Sequence, residues 1–244
     1  MILRRVTAHF RKQEWTAIFL DFVIVVAGIL LAFQITAWNE ARRDRALEQE
    51  YLERLYADIE NTLESRGRAA QWDETRLAQQ ALVLNALRSG KLRDEDRGDF
   101  DTGLVFFGFV SGPDVQWATV DELQSTGAMN LISDVSLRSR ILDFDADLKR
   151  RQGITGKFME SIYAFRAQLG DKYEVVKFEG ERNDVQLNYD FDALAADASF
   201  LNALSQIDML GRFRLDMNKT VLADLTGLRD EIAQELEPGS EKAP

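Results

Sequence analysis

The chain has 244 residues, 45% of them hydrophobic and 29% charged, with a formal net charge of −11. That is enough for one anchor and one packed domain, and it excludes wholesale disorder. So acidic a chain is a poor partner for nucleic acid, and the lack of cysteine excludes disulfides, thiolate chemistry and Cys-ligated metal centres.

Residues 1–15 form a short tail in which Arg4, Arg5, Arg11 and Lys12 outweigh Glu14. Thr16 to Ala37 then reads TAIFLDFVIVVAGILLAFQITA, interrupted only by Asp21, Gln34 and two threonines. At ~1.5 Å per residue a helix over 16–37 spans about 33 Å, close to the hydrocarbon thickness of a bilayer. Trp15 and Trp38 bracket the run, where amphipathic rings anchor a span at the membrane interface. A cleaved leader has a shorter apolar core and ends in a small-x-small site. Phe33 to Trp38 offers no such site, so the sequence predicts a retained signal anchor.

Arg42, Arg43 and Arg45 follow the span, so basic residues flank both of its ends. The short net-positive tail favours a cytoplasmic N-terminus, while a long acidic domain crosses largely regardless of its charge. Within the span, Asp21, Gly28 and Ala32 share a face. Gly28-x-x-x-Ala32 lets a second helix approach closely, and a carboxylate beside it offers a polar contact. Two readings stay open for Asp21: a helix–helix contact, or an aspartate hydrated near the headgroups.

Residues 38–237 read as a helical soluble domain. Nothing breaks the helix as it leaves the span, and Leu52, Leu55, Ile59, Leu63, Leu77, Leu84 and Leu87 recur at helical spacing. Ser65-Arg66-Gly67-Arg68 is the first weak point, and Ser89-Gly90 ends the element. Residues 91–118 suit a short helix or a brief strand pair, with a turn at Gly112-Pro113-Asp114. Thr119-Val120-Asp121-Glu122 fits a capping box for a helix ending at Gly127, and Ser133-Asp134 can cap the next.

That next helix carries Leu137, Ile141, Phe144, Leu148, Arg151, Thr155, Phe158, Ile162, Phe165 and Leu169 in heptad steps. Gly153 and Gly156 mark a place for a kink or gap. Val175 to Val185 suits a connector, and Asp190 or Asp192 caps a short helix to Ala198. Phe200, Leu204, Ile207, Leu210, Phe213, Met217, Val221, Leu225, Leu228, Ile232 and Leu236 follow the 3.6 period of a last long helix. Glu237-Pro238-Gly239 stops it, leaving 238–244 as a disordered tail. The expected fold is all-α: a single N-terminal transmembrane helix continuing into an antiparallel bundle of three long and several short helices.

Chemistry is sparse. The one histidine, His9, sits in the tail, so the domain has no Ser-His-Asp arrangement. No nucleotide-binding or zinc-hydrolase motif occurs. Asp94, Glu95, Asp96, Asp99 and Asp101 lack the EF-hand spacing, and Asp143, Asp145 and Asp147 read as solvated helix positions. No cofactor or metal is expected. Phe106, Phe107, Phe109 and Trp117 form a candidate small-molecule pocket, against the plainer reading that they plug the end of a bundle.

The ordered set of Asp21, Gly28, Gln34, Trp38-Asn39-Glu40, Tyr51-Leu52-x-x-Leu55-x-x-Asp58-Ile59 and Glu122-Leu123-x-Ser125-Thr126-Gly127 with Leu131-Ile132 resembles a known family. It is a family of uncharacterised small bacterial membrane proteins, each with one N-terminal anchor and a helical domain. The resemblance implies that architecture and a bacterial origin, and it carries no activity; together with the charge argument the expected place is the inner membrane, with the domain in the periplasm. The expected function is a non-enzymatic interaction module that binds a protein partner or another copy of itself. The alternatives are a periplasmic ligand sensor acting through a membrane partner and, behind it, a carboxylate-based metal enzyme.

Overall fold

The computed structural model describes residues 15–109, 115–178 and 185–237, and only the backbone of 15–18, 70 and 71. The tail up to Glu14, the turn at 112–114, Gly180 and the tail 238–244 lie outside these residues. The chain forms two compact units, Met1–Tyr51 and Leu52–Pro244.

Helix α1 runs unbroken from Trp15 to Ser89, Gly67 included. No proline interrupts it. It ends in a Schellman turn. Gly90 takes φ +64°, Gly90 N donates to Leu87 O, and Lys91 N donates to Ala86 O at 3.1 Å. In the first unit α1 exposes nearly every side chain, and the first buried residue along it is Leu52.

Among its described residues the second unit is mostly helical, with one small two-stranded sheet. Its long elements are the rest of α1, α4 (Val135–Ala167) and α6 (Ala198–Leu236). Arg229 bonds Glu60 at 3.1 Å and Arg88 bonds Ser205 at 3.2 Å, so α6 runs antiparallel to α1. Arg140 pairs with Glu231 and Phe158 lies 6.5 Å from Phe213, so α6 also runs antiparallel to α4. Short helices α2 (Arg97–Val105), α3 (Ala118–Ser125) and α5 (Phe191–Ala196) fill in around them.

Local signals explain most of the boundaries. Asp134 caps α4 by accepting from Ser136 N and Leu137 N, Asp190 caps α5, and Asp197 caps α6. Gly153 and Gly156 do not interrupt α4, which is continuous through both. The Thr119 capping box does not form. Trp117 holds the N-cap position of α3 without a side-chain bond, and Thr119 Oγ1 donates to Asp58 Oδ2 on α1 at 2.7 Å instead. Tertiary contact outbids the local cap.

Residues 174–188 are not a plain connector. Strands β1 (Glu174–Phe178) and β2 (Val185–Asn188) pair antiparallel, with a bulge between Val175 and Lys177. Val185 and Leu187 face inward while Gln186 and Asn188 face out, the period-2 pattern of a half-buried strand. Among the described residues no strand lies in 91–118, the place where a strand pair was one expectation.

Buried apolar residues fall into two groups. At the Leu52 end sit Leu52, Leu55, Ile59, Val120, Leu123, Ile141, Val221, Leu225 and Ile232 among others. At the Leu87 end a contiguous cluster begins at Val83 on α1, Ile162 on α4 and, toward the C-terminus of α6, ends at Ile207. Gly103 lets α2 lie against α1: a Cβ there would meet Gln79 O at 2.8 Å.

Candidate functional surfaces

The first surface is the apolar part of α1. It is long and apolar enough to cross a membrane, and none of its hydrophobic window is buried among the described residues. Phe19 is 66% exposed and Trp38 is 61% exposed, with Phe22, Ile24, Leu30, Leu31 and Phe33 similarly open. Such a run is far beyond the apolar patches that soluble surfaces tolerate. Thr36 donates its hydroxyl to Ala32 O at 3.0 Å, satisfying a polar group inside the apolar stretch. Asp21, Gly28 and Ala32 are all exposed, and a Cβ built at Gly28 meets no atom within 4 Å. The side chain of Trp15, the other expected interface anchor, lies outside the described set.

The candidate aromatic pocket does not assemble. Phe107 is fully buried in the Leu87-end core, Phe106 packs on that core's edge, and Phe109 stacks edgewise 6.2 Å from Phe106. Trp117 belongs to the other end. Its Nε1 donates to Asp145 and its ring lies 5.0 Å from Phe144. The separation arises because the chain doubles back along α1 after α2: Gln116 N already reaches Thr62 Oγ1 at 2.9 Å.

Carboxylates read as solvated from the sequence include two buried centres. Asp145 accepts from Trp117 Nε1 at 3.1 Å, Gln124 Nε2 at 2.8 Å and Lys149 Nζ at 2.8 Å, tying α3 to α4. Burial pushes its carboxyl up, but these hydrogen bonds and the Lys149 charge outweigh that and hold it below the usual range. Asp101 accepts from Leu187 N at 3.0 Å and Tyr189 Oη at 2.8 Å, pinning β2 to α2. Burial, then the Asp101 contact, pushes the Tyr189 hydroxyl well up. Asp99 accepts from Gln79, while Arg93 pairs with Glu95 and Asp96. Among the described residues no three carboxylates converge as a metal site.

The sequence reading missed a band of buried polar residues at the middle of the bundle. Thr62, Arg66, Asp73, Arg76, Gln79 and Gln80 on α1 are buried, as are Arg214 and Asn218 on α6, and Arg66 shares a slot with Asn218. Arg76 donates to Gln79 Oε1 at 2.9 Å and lies 4.1 Å over the Phe106 ring. Burial pushes the Arg214 guanidinium down, against the pull of Asp73, and the like charge of Arg66 adds to the effect. The slot between Arg66, Val115, Asn218, Val221 and Leu222 has no room for a water-sized sphere. A second depression, about 500 Å³ along Leu77, Met209, Arg212, Phe213, Asp216 and Lys219, opens to solvent. Arg212 there is already paired with Asp208 at 2.9 Å.

Compared with known proteins, the chain matches no family model, no curated protein and no solved structure.

Proposed function

We propose that the chain is a single-pass membrane protein whose helical domain serves as a non-enzymatic interaction module. The observation that carries this reading is the continuous exposed apolar surface of α1 from Phe19 to Trp38, which water does not stabilise and a bilayer does. Residues 16–37 span the membrane, the basic tail lies in the cytoplasm, and the acidic domain lies in the periplasm of a bacterium. The family resemblance in the ordered motifs from Asp21 to Ile132 belongs to the same reading.

The open face at Asp21, Gly28 and Ala32 is the contact through which a second helix docks, from another copy or from a membrane partner. The buried carboxylates Asp101 and Asp145 support an interaction role in a simple way: both are engaged in holding elements together. The sensor alternative has less support, because Phe106 packs against the Leu87-end cluster whereas Trp117 bonds Asp145 and lies beside Phe144.

Cross-linking of the full chain in native membranes tests the contact. Gly28→Leu with Ala32→Leu should abolish the cross-linked species by filling the approach face. If the doubly substituted protein cross-links as the parent does, the helix-contact reading is wrong.

A further inference from the structure

We propose that the polar band at the middle of the bundle is a hinge, a level at which the three long helices open locally while the apolar cores on either side stay packed. The band occupies one level on all three helices. On α1 every described buried residue between Ile59 and Val83 is polar. On α6 the buried residues between Ile207 and Val221 are Gly211, Arg214 and Asn218. On α4 no described residue between Leu148 and Ile162 is buried at all. The pairs Glu60–Arg229, Arg88–Ser205 and Phe158–Phe213 put residues 73–80 of α1 and 211–218 of α6 beside the middle of α4, with Arg66 reaching the same slot as Asn218.

Burial of apolar area is what makes opening a helix bundle costly, and apart from Gly211 this level contributes no fully buried apolar residue among the described residues. Two of its polar atoms also favour opening. Gln80 is 1% exposed and Arg66 9% exposed, yet Gln80 Nε2 and Arg66 Nε have no hydrogen-bond acceptor among the described residues. A buried donor left without a partner is penalised in the closed state and relieved when water reaches it. Gly153 and Gly156 on α4 lower the cost of bending that helix at the same level. The fully buried members of the Leu87-end cluster stop at the band's edge on each helix, at Val83, Ile162 and Ile207. A displacement applied to one core is therefore absorbed as a change of angle at the band, without unpacking either core.

Amide hydrogen exchange on the full chain in lipid nanodiscs, read peptide by peptide, tests this. Amides of 62–80 and 211–218 should exchange at least about tenfold faster than those of 52–59, 83–87, 200–207 and 221–232. In Gln80→Leu the band should slow toward the core rates, with the core rates unchanged. Band and core peptides that exchange together in the parent would overturn the hinge, as would a Gln80→Leu band that exchanges faster still. The result is independent of the cross-linking experiment, because it concerns only residues from Leu52 onward.

Discussion

Removing the Asp145 carboxylate should cost the bundle about 3 kcal/mol. The group is 5% exposed and accepts three hydrogen bonds, from Trp117, Gln124 and Lys149. Lys149 is half exposed and regains water when its partner goes, so its share is below about 1 kcal/mol. Gln124 is exposed and recovers water likewise. Trp117 is 6% exposed, so Asp145→Ala strands its indole N–H in an apolar surround, which at about 1–3 kcal/mol is the largest share. Asp145→Asn keeps an acceptor for Trp117 and should cost only about 1 kcal/mol.

Thermal unfolding of the full chain in detergent, followed by circular dichroism, reads this directly. At ~2–4 °C per kcal/mol, the Ala variant should melt about 6–12 °C below the parent. The pH dependence supplies a second check. The folded carboxyl sits below its ordinary value, so its stabilisation is fully present above the unfolded pKa of about 3.9 and is lost as pH falls through the lower folded value. Parent stability should therefore drop in that acid window more steeply than that of Asp145→Asn. An Ala variant within about 0.5 kcal/mol of the parent would refute the account of α3 as held to α4 by this carboxylate.

Two further outcomes follow from single residues. Gly108→Ala should destabilise by about 2–4 kcal/mol, since Gly108 takes φ +83° and a Cβ there would lie 2.3 Å from Ile207 Cγ2; equilibrium denaturation of the same preparation measures it. Asp101→Ala should free the hairpin from α2, because Leu187 N and Tyr189 Oη both lose their acceptor. Limited proteolysis should then cut within 174–188 at protease levels that leave the parent intact.

The sequence alone determined the long helices, because their periodicity is a local property that runs over many turns. Leu52, Leu55 and Ile59, or Val221, Leu225, Leu228 and Ile232, bury as their spacing requires. The apolar run of α1 and its open Gly28 face were equally legible, since neither depends on the rest of the chain. Caps were readable where nothing competed, as at Asp134 and Asp190, and unreadable at Thr119, whose hydroxyl is taken by Asp58 from sixty-one positions earlier in the chain.

Tertiary structure decided the rest. Arg66 and the Arg151–Gly156 stretch interrupt their patterns visibly, but nothing local says that they lie at one level with Arg214 and Asn218. On α6 the stripe even continues through Phe213, which is 55% exposed while Arg214 beside it is buried. The turn of a helix sets which residues share a face, whereas the partner helix sets which face is inside. Antiparallel pairing of α6 with α1 and α4 places polar against polar at the middle and leaves two apolar cores at the ends.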